Sequence, residues 1–212
     1  MKKYLIGSLM AVAAVACTSV SDKTTLQGKF SGADVPEEIS IVIPDVIDTT
    51  VALKNAAFKI EIPVEKASLG HIVAGHARGS FISDGTALTV SLADGALEIK
   101  SAKPAESLTE KLNSFDSEAQ AMVAEYRTGM AAIADSTGLS ADQIDSLQEE
   151  FYNTFFGKFK KLNNDVIDAN KDNILSLYAL QNVYSEMSDD TLEAVLSSID
   201  SNVVEKNDFA KA

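Results

Sequence analysis

The hydrophobic period of this chain changes once, near Pro104, from two residues to between three and four. Strands bury alternate residues and helices bury every third or fourth, so the switch divides the chain into a strand half and a helix half. Before it, residues 38–43, 57–62, 87–92 and 96–100 mostly alternate apolar with polar side chains, the pattern of strands with one buried face. Asp94-Gly95, between the last two, is a strong type I′ hairpin signal, and Asp84-Gly85 marks a turn just upstream. Strands at this spacing predict a small antiparallel β-sandwich or open barrel over residues 24–103.

After the switch, Pro104 suits a first helical position. Leu108, Leu112, Phe115, Met122, Tyr126, Met130 and Ile133 then recur at steps of three, four or seven until Gly138. Ser140-Ala141-Asp142-Gln143 forms a capping box. It opens a second apolar stripe of Ile144, Leu147, Phe151, Phe155, Phe159, Leu162 and Val166. A third segment carries Ile174, Leu177, Tyr178, Leu180 and Tyr184. The last opens at Ser188, has Asp189 and Asp190 in its first turn, and buries Leu192, Val195, Leu196 and Ile199. The expected fold class is therefore α+β, with a helical domain of about four helices over residues 104–201. Residues 202–212 show no period and are expected to form a loose tail.

Residues 1–16 begin with Lys2 and Lys3 and continue as an apolar run too short for a resident membrane helix, which predicts a secretory signal peptide. Cys17 follows Ala14-Val15-Ala16 and is the only cysteine. This stretch resembles the bacterial lipobox, in which the leader is cut before a cysteine that receives diacylglycerol. A lone thiol directly after an apolar leader is hard to explain as core packing, and a free thiol in an oxidising compartment is a liability. Cys17 is thus the expected lipidation site, residues 17–23 the lipidated tether, and several acyl chains the stable membrane anchor. The expected location is the cell envelope, in the outer membrane and facing the periplasm.

Lys and Arg number 18 against 31 Asp and Glu, a net charge of −13, and loss of Lys2 and Lys3 makes the balance more negative. Nucleic-acid affinity comes largely from cations displacing condensed counterions, so no nucleic-acid partner is expected. One Cys, two His and no Trp leave little from which to build a redox pair, a His-rich metal cage or a His-dependent nucleophile. His71 and His76 lie five apart in a strand or strand-turn, where odd spacing sends the two rings to opposite faces. Residues 168–173 begin like a calcium loop, with oxygen ligands at alternate positions. Position twelve, which needs a bidentate Glu, is Ala179, so the segment reads as a polar turn between helices. Phe155-Phe156-Gly157-Lys158-Phe159-Lys160-Lys161 is a basic and aromatic cluster. Its four-residue phenylalanine steps read as a core stripe flanked by solvated lysines. No pair of carboxylates stands out as a general acid and base, so no catalytic, cofactor or metal site is assigned.

The order of features resembles the β-rich N-terminal module of unknown function, with its helical segment, that precedes a thioredoxin-like domain in many Bacteroidota lipoproteins. The residues that carry the resemblance are 26–32, 48–53 leading into 55–60, 81–85, and 169–173 followed by 177–180. Ala56 stands where the family's turn usually has Gly. The family's redox domain would begin about where this sequence stops at Ala212, and there is no Cys-x-x-Cys. Thiol-disulfide exchange needs a thiolate, so that activity is not carried over. The expected function is a non-catalytic envelope lipoprotein acting as a binding or interaction module, tethered by its lipid and meeting an envelope protein partner. The alternative is an accessory part of a thiol-disulfide oxidoreductase system whose thioredoxin-like domain is separate or lost.

Overall fold

The computed structural model describes residues 22–32, 35–93 and 95–207. The leader, Cys17 and the tether up to Ser21, Asp94 of the hairpin signal and residues 208–212 of the tail lie outside them. The fold is α+β. Eight strands come first: β1 (Lys23–Lys29), β2 (Glu38–Ile43), β3 (Ile47–Ala52), β4 (Ala57–Pro63), β5 (Ser68–Ala74), β6 (Ala77–Ser83), β7 (Ala87–Ala93) and β8 (Ala96–Ser101). They form two open four-stranded sheets, β4-β1-β7-β8 and β3-β2-β5-β6, antiparallel except where β1 lies parallel to β7.

Leu26, Ile39, Ile41, Ile43, Ile62, Ile72, Phe81 and Leu88 are buried in one core cluster of the strand half. Four of the eight strands have weak sequence signals. β3 buries no residue fully, and β1, β5 and β6 each carry an interior glycine. At Gly70 a Cβ would stand 2.6 Å from the Phe81 ring, so the position is held small by a neighbour's packing. β6 also ends in three consecutive buried residues, because helices cover the outer face of its sheet there.

His71 lies on β5, but His76 sits in the β5–β6 turn rather than on a strand. The chain reverses at Gly75, whose φ is +61°. Neighbouring Ala74 and Ala77 pair directly, leaving a two-residue loop. Between β3 and β4, Asn55 and Ala56 both hold positive φ, +54° and +61°. That is the geometry in which glycine is the low-cost residue and an L side chain costs about 1–2 kcal/mol. Ala56→Gly is expected to raise stability in urea by about 0.5–1 kcal/mol.

Pro104 begins a single 3-10 turn, Pro104–Glu106, and the first long helix starts later, at α1 (Leu108–Ala134). Ser107 is its N-cap and accepts from the Glu110 N–H. The helix ends before Gly138, and α2 (Ala141–Ala169) opens on the capping box of Ser140 and Gln143. α3 (Leu175–Leu180), α4 (Asp189–Ser198) and α5 (Ser201–Glu205) follow. α5 corrects the expectation of a loose tail from residue 202. The Asp200 carboxylate accepts from the Asn202 N–H at 2.7 Å, and Val203 and Val204 pack against Phe115, Ile167, Leu177, Leu180, Val183 and Ile199. Two valines over one short turn are too few to show a period. The calcium-like stretch is a polar turn: Asn170 Oδ1 accepts from Asn173 Nδ2, and Asn173 Oδ1 caps the Leu175 N–H.

Past Phe115 in α1 and before Asn163 in α2, no residue is fully buried, so the two helices form an arm that packs mainly on itself. Tyr126 stacks on Phe155 at 4.4 Å and on Phe151 at 5.9 Å between ring centroids. The phenylalanine stripe therefore lines an interhelical seam and not a closed core, while Lys158 and Lys161 are exposed.

The start of α1 joins the two halves. The Thr109 hydroxyl accepts from the Ile82 N–H at 3.0 Å and donates to the Ile82 carbonyl at 3.3 Å. Glu110 accepts from the Ser101 N–H at 2.7 Å, and Asn113 donates to the Ile99 carbonyl at 2.8 Å. Thr109 is fully buried. Thr109→Val keeps the shape and strands two buried main-chain groups, so a loss of about 1–3 kcal/mol is expected in equilibrium urea unfolding.

Candidate binding groove at Asp116

Two grooves, of about 620 and 660 Å3, meet along α1, and Ser80, Asp116 and Gln120 line both. The first lies between α1 and the outer face of β5 and β6. Three cross-strand pairs succeed one another on that face: Leu69–Ile82, His71–Ser80 and Val73–Arg78. The first pair is covered by Leu112 and Leu175. The next two lie beyond that cover and line the groove, with His71 Nδ1 3.2 Å from Ser80 Oγ. Leu97 of β8 and Asn113 of α1 complete this side.

The second groove follows α1 toward the arm. Phe115, Ala119, Val123 and Phe159 give it an apolar lining, and Arg127, Tyr178 and Asn182 give it polar groups. The Tyr178 ring packs edge-on against Phe115, at 5.9 Å and 84°. This contact aims its hydroxyl at Asp116, to which it donates at 3.1 Å.

Burial raises the Asp116 pKa above the ordinary carboxylate value of 3.8, and the Tyr178 bond pulls it the other way. Burial, then the charge of Asp116 and the bond to it, push Tyr178 up to about 12, so its hydroxyl keeps its proton and remains a donor. Among the described residues no Lys, Arg or His forms an ion pair with Asp116. The junction thus holds a half-buried carboxylate bonded by a tyrosine hydroxyl, with His71, Arg78 and Arg127 among the other lining residues and an apolar floor, a mixed polar arrangement suited to orienting a bound ligand.

Of the residues weighed from sequence as candidate chemistry, His71 and Phe159 line the grooves, and His76 does not join His71; Phe115 and Tyr178, read from sequence as helix-stripe residues, line the second groove. Cys17 lies outside the described residues. Asp116, Gln120, Asn113 and Arg127 carry no motif. They flank the apolar stripe of α1, where polar residues ordinarily face solvent. Among the described residues, no group of three or more His, Cys, Asp or Glu is placed to hold a metal ion, and no helix is long and apolar enough to cross a membrane. No protein-family model matches the chain, and no curated protein matches it.

A group whose folded-state pKa lies above its unfolded value binds more protons when folded, so stability falls as pH rises between the two values. Asp116 is in this class. Its carboxyl resonance should titrate above 3.8, and Tyr178→Phe, which removes the bond that favours the ionised form, should raise the midpoint further. Asp116→Asn should abolish its part of the fall in stability above pH 3.8, measured by urea unfolding across pH 3–7.

Proposed function

We propose that this chain is an envelope lipoprotein that binds a partner through the groove at Asp116 and performs no chemistry of its own. The membrane part rests on the leader and on Cys17 immediately after it. The binding part rests on one observation: a carboxylate held by Tyr178, without an ion pair among the described residues, at the junction of two preformed grooves. In this reading the acyl chains hold the protein at the outer membrane, facing the periplasm. The tether lets the folded body present its groove to another envelope protein.

Two measurements test the two parts. In a bacterial host that processes lipoproteins, intact mass should begin at Cys17 and carry acyl chains. Cys17→Ser should move the protein from the membrane to the soluble fraction, and unchanged membrane association would refute the anchor. A photo-crosslinking residue at Gln120 in the groove should give discrete adducts in the host envelope. The same group at Asn153, among a different set of lining residues on α2, should give no adduct with another envelope protein. Equal labelling at both positions would refute the groove as the binding surface.

A further inference from the structure

The charges of α2 are sorted by sign along its length. Residues 142–150 hold Asp142, Asp145, Glu149 and Glu150 and no cation, residues 151–157 are uncharged, and Lys158, Lys160 and Lys161 follow. The helix dipole favours carboxylates in the first turn and cations in the last. It accounts for Asp142 and not for charges in the middle turns. Lys161 pairs with Asp165, and none of the others forms an ion pair among the described residues.

Asp142, Asp145, Glu149, Tyr152, Phe156 and Lys160 recur at steps of three and four, so they share one face of α2. The middle of that face is aromatic. The Tyr152 and Phe156 rings stack at 5.9 Å between centroids, and Tyr126 of α1 braces Tyr152 edge-on at 6.3 Å. Tyr152 is nevertheless 45% exposed. An aromatic pair braced by its own helices and still wet is a preformed anchor of the kind that dominates protein interfaces.

We infer that two copies of this chain dimerise through this face, α2 against α2 and antiparallel, so that their two arms close into a four-helix bundle. With the two-fold axis level with Thr154, Tyr152 of each copy lies opposite Phe156 of the other. On the next layer out, Glu149 of each copy comes opposite Lys160 of the other, to within one residue. A helix that runs acidic, neutral, basic complements itself only in this direction, because a parallel pair would set carboxylates on carboxylates. The net charge of −13 opposes contact between copies, so a face with locally complementary charges is what can bring them together. At 1.5 Å rise per residue, residues 141–162 run about 33 Å, and two helices side by side are about 20 Å wide. A face of that size is on the order of the ~800 Å2 that each partner gives to a stable interface. The arm has no third layer of its own, and the second copy supplies it. This contact is separate from the groove at Asp116 and does not rest on the reading of that groove.

The test is analytical ultracentrifugation of the full chain carrying Cys17→Ser. The chain should sediment as a dimer at micromolar concentration, and added salt should weaken the dimer. Glu149 is exposed and Lys160 half-buried, and neither has an ion-pair partner to lose. Glu149→Lys and Lys160→Glu should each weaken the dimer at least about tenfold, because each turns two attractive pairs into repulsive ones. The double variant should recover the original dissociation constant, a rescue that damage to the fold would not produce. A chain that stays monomeric at every concentration would overturn the proposal. So would single reversals without effect, or a double variant as weak as either single one. A monomer that instead binds vesicles of phosphatidylethanolamine and phosphatidylglycerol, and loses them on Tyr152→Ala, would assign the face to a lipid surface and refute the dimer. Crosslinked pairs of this chain have twice its mass, which sets them apart from the partner adducts expected at Gln120.

Discussion

The Thr109 hydroxyl, fully buried between helix α1 and strand β6, holds the two halves of this protein in one register. A sheet edge and a helix start each leave main-chain groups without partners, and in water those groups would simply be solvated. Here they are buried against one another, and a buried unpaired group costs about 1–3 kcal/mol. Thr109, Glu110 and Asn113 on consecutive faces of one turn meet the edges of both sheets, while Leu112 points into a small apolar cluster with Ile82 and Leu175. The Leu108 N–H adds a fourth point of contact by donating to Asp84, whose other oxygen holds the Asp84–Thr86 turn. The helix direction follows from these contacts, because three polar side chains cannot all reach their partners if α1 rotates.

That direction decides what α1 does further on. Its first two turns are committed to the strand half, Phe115 enters the second core, and the remaining turns leave the body beside α2. Two helices alone bury only the sides that face each other, which is why residues from 116 to 162 are at most half-buried. Aromatic stacking along Tyr126, Phe155 and Phe159, and the close seat of the Phe151 ring on Gly129, hold the pair where no third layer exists. Asp116 falls at the point of departure, where α1 has left the sheet and is not yet paired only with α2. The groove is thus a consequence of the junction and needs no dedicated loop.

Sequence reasoning reached the architecture through period and caps: the two-residue alternation of β2, the capping box at Ser140 and the acidic first turn after Ser188 are all local signals with local causes. It was silent where a residue's role depends on distant neighbours. Gly70 looks like a weak point in a strand until the Phe81 ring is placed against it. β6 loses its alternation because helices more than twenty residues later cover its outer face. Val203 and Val204 read as tail because five residues carry no period, yet the Asp200 cap and the helical core order them. Asp116 was invisible for a related reason. A single carboxylate beside an apolar stripe has the same sequence signature whether it faces water or lines a groove.

The energetics of Asp116 set it apart from the protein's surface charges. The ion pairs among the described residues join exposed side chains, such as Lys23 with Glu61 and Lys171 with Asp168, and pairs of that kind contribute little to stability. Asp116 is different: burial disfavours its charge, and a tyrosine hydroxyl relieves only part of that cost. For folding alone, an uncharged residue of similar shape would serve better at this position, since it would avoid the desolvation cost while α1 stayed held by Thr109, Glu110 and Asn113. A carboxylate kept there against its own solvation would be stabilised by any group that compensates its charge, and the free energy of such an encounter would include relief of the burial cost. In the proposed binding role the same desolvation would favour a ligand that compensates the charge, because a neutral ligand occupying the groove would bury the charge further without relieving it.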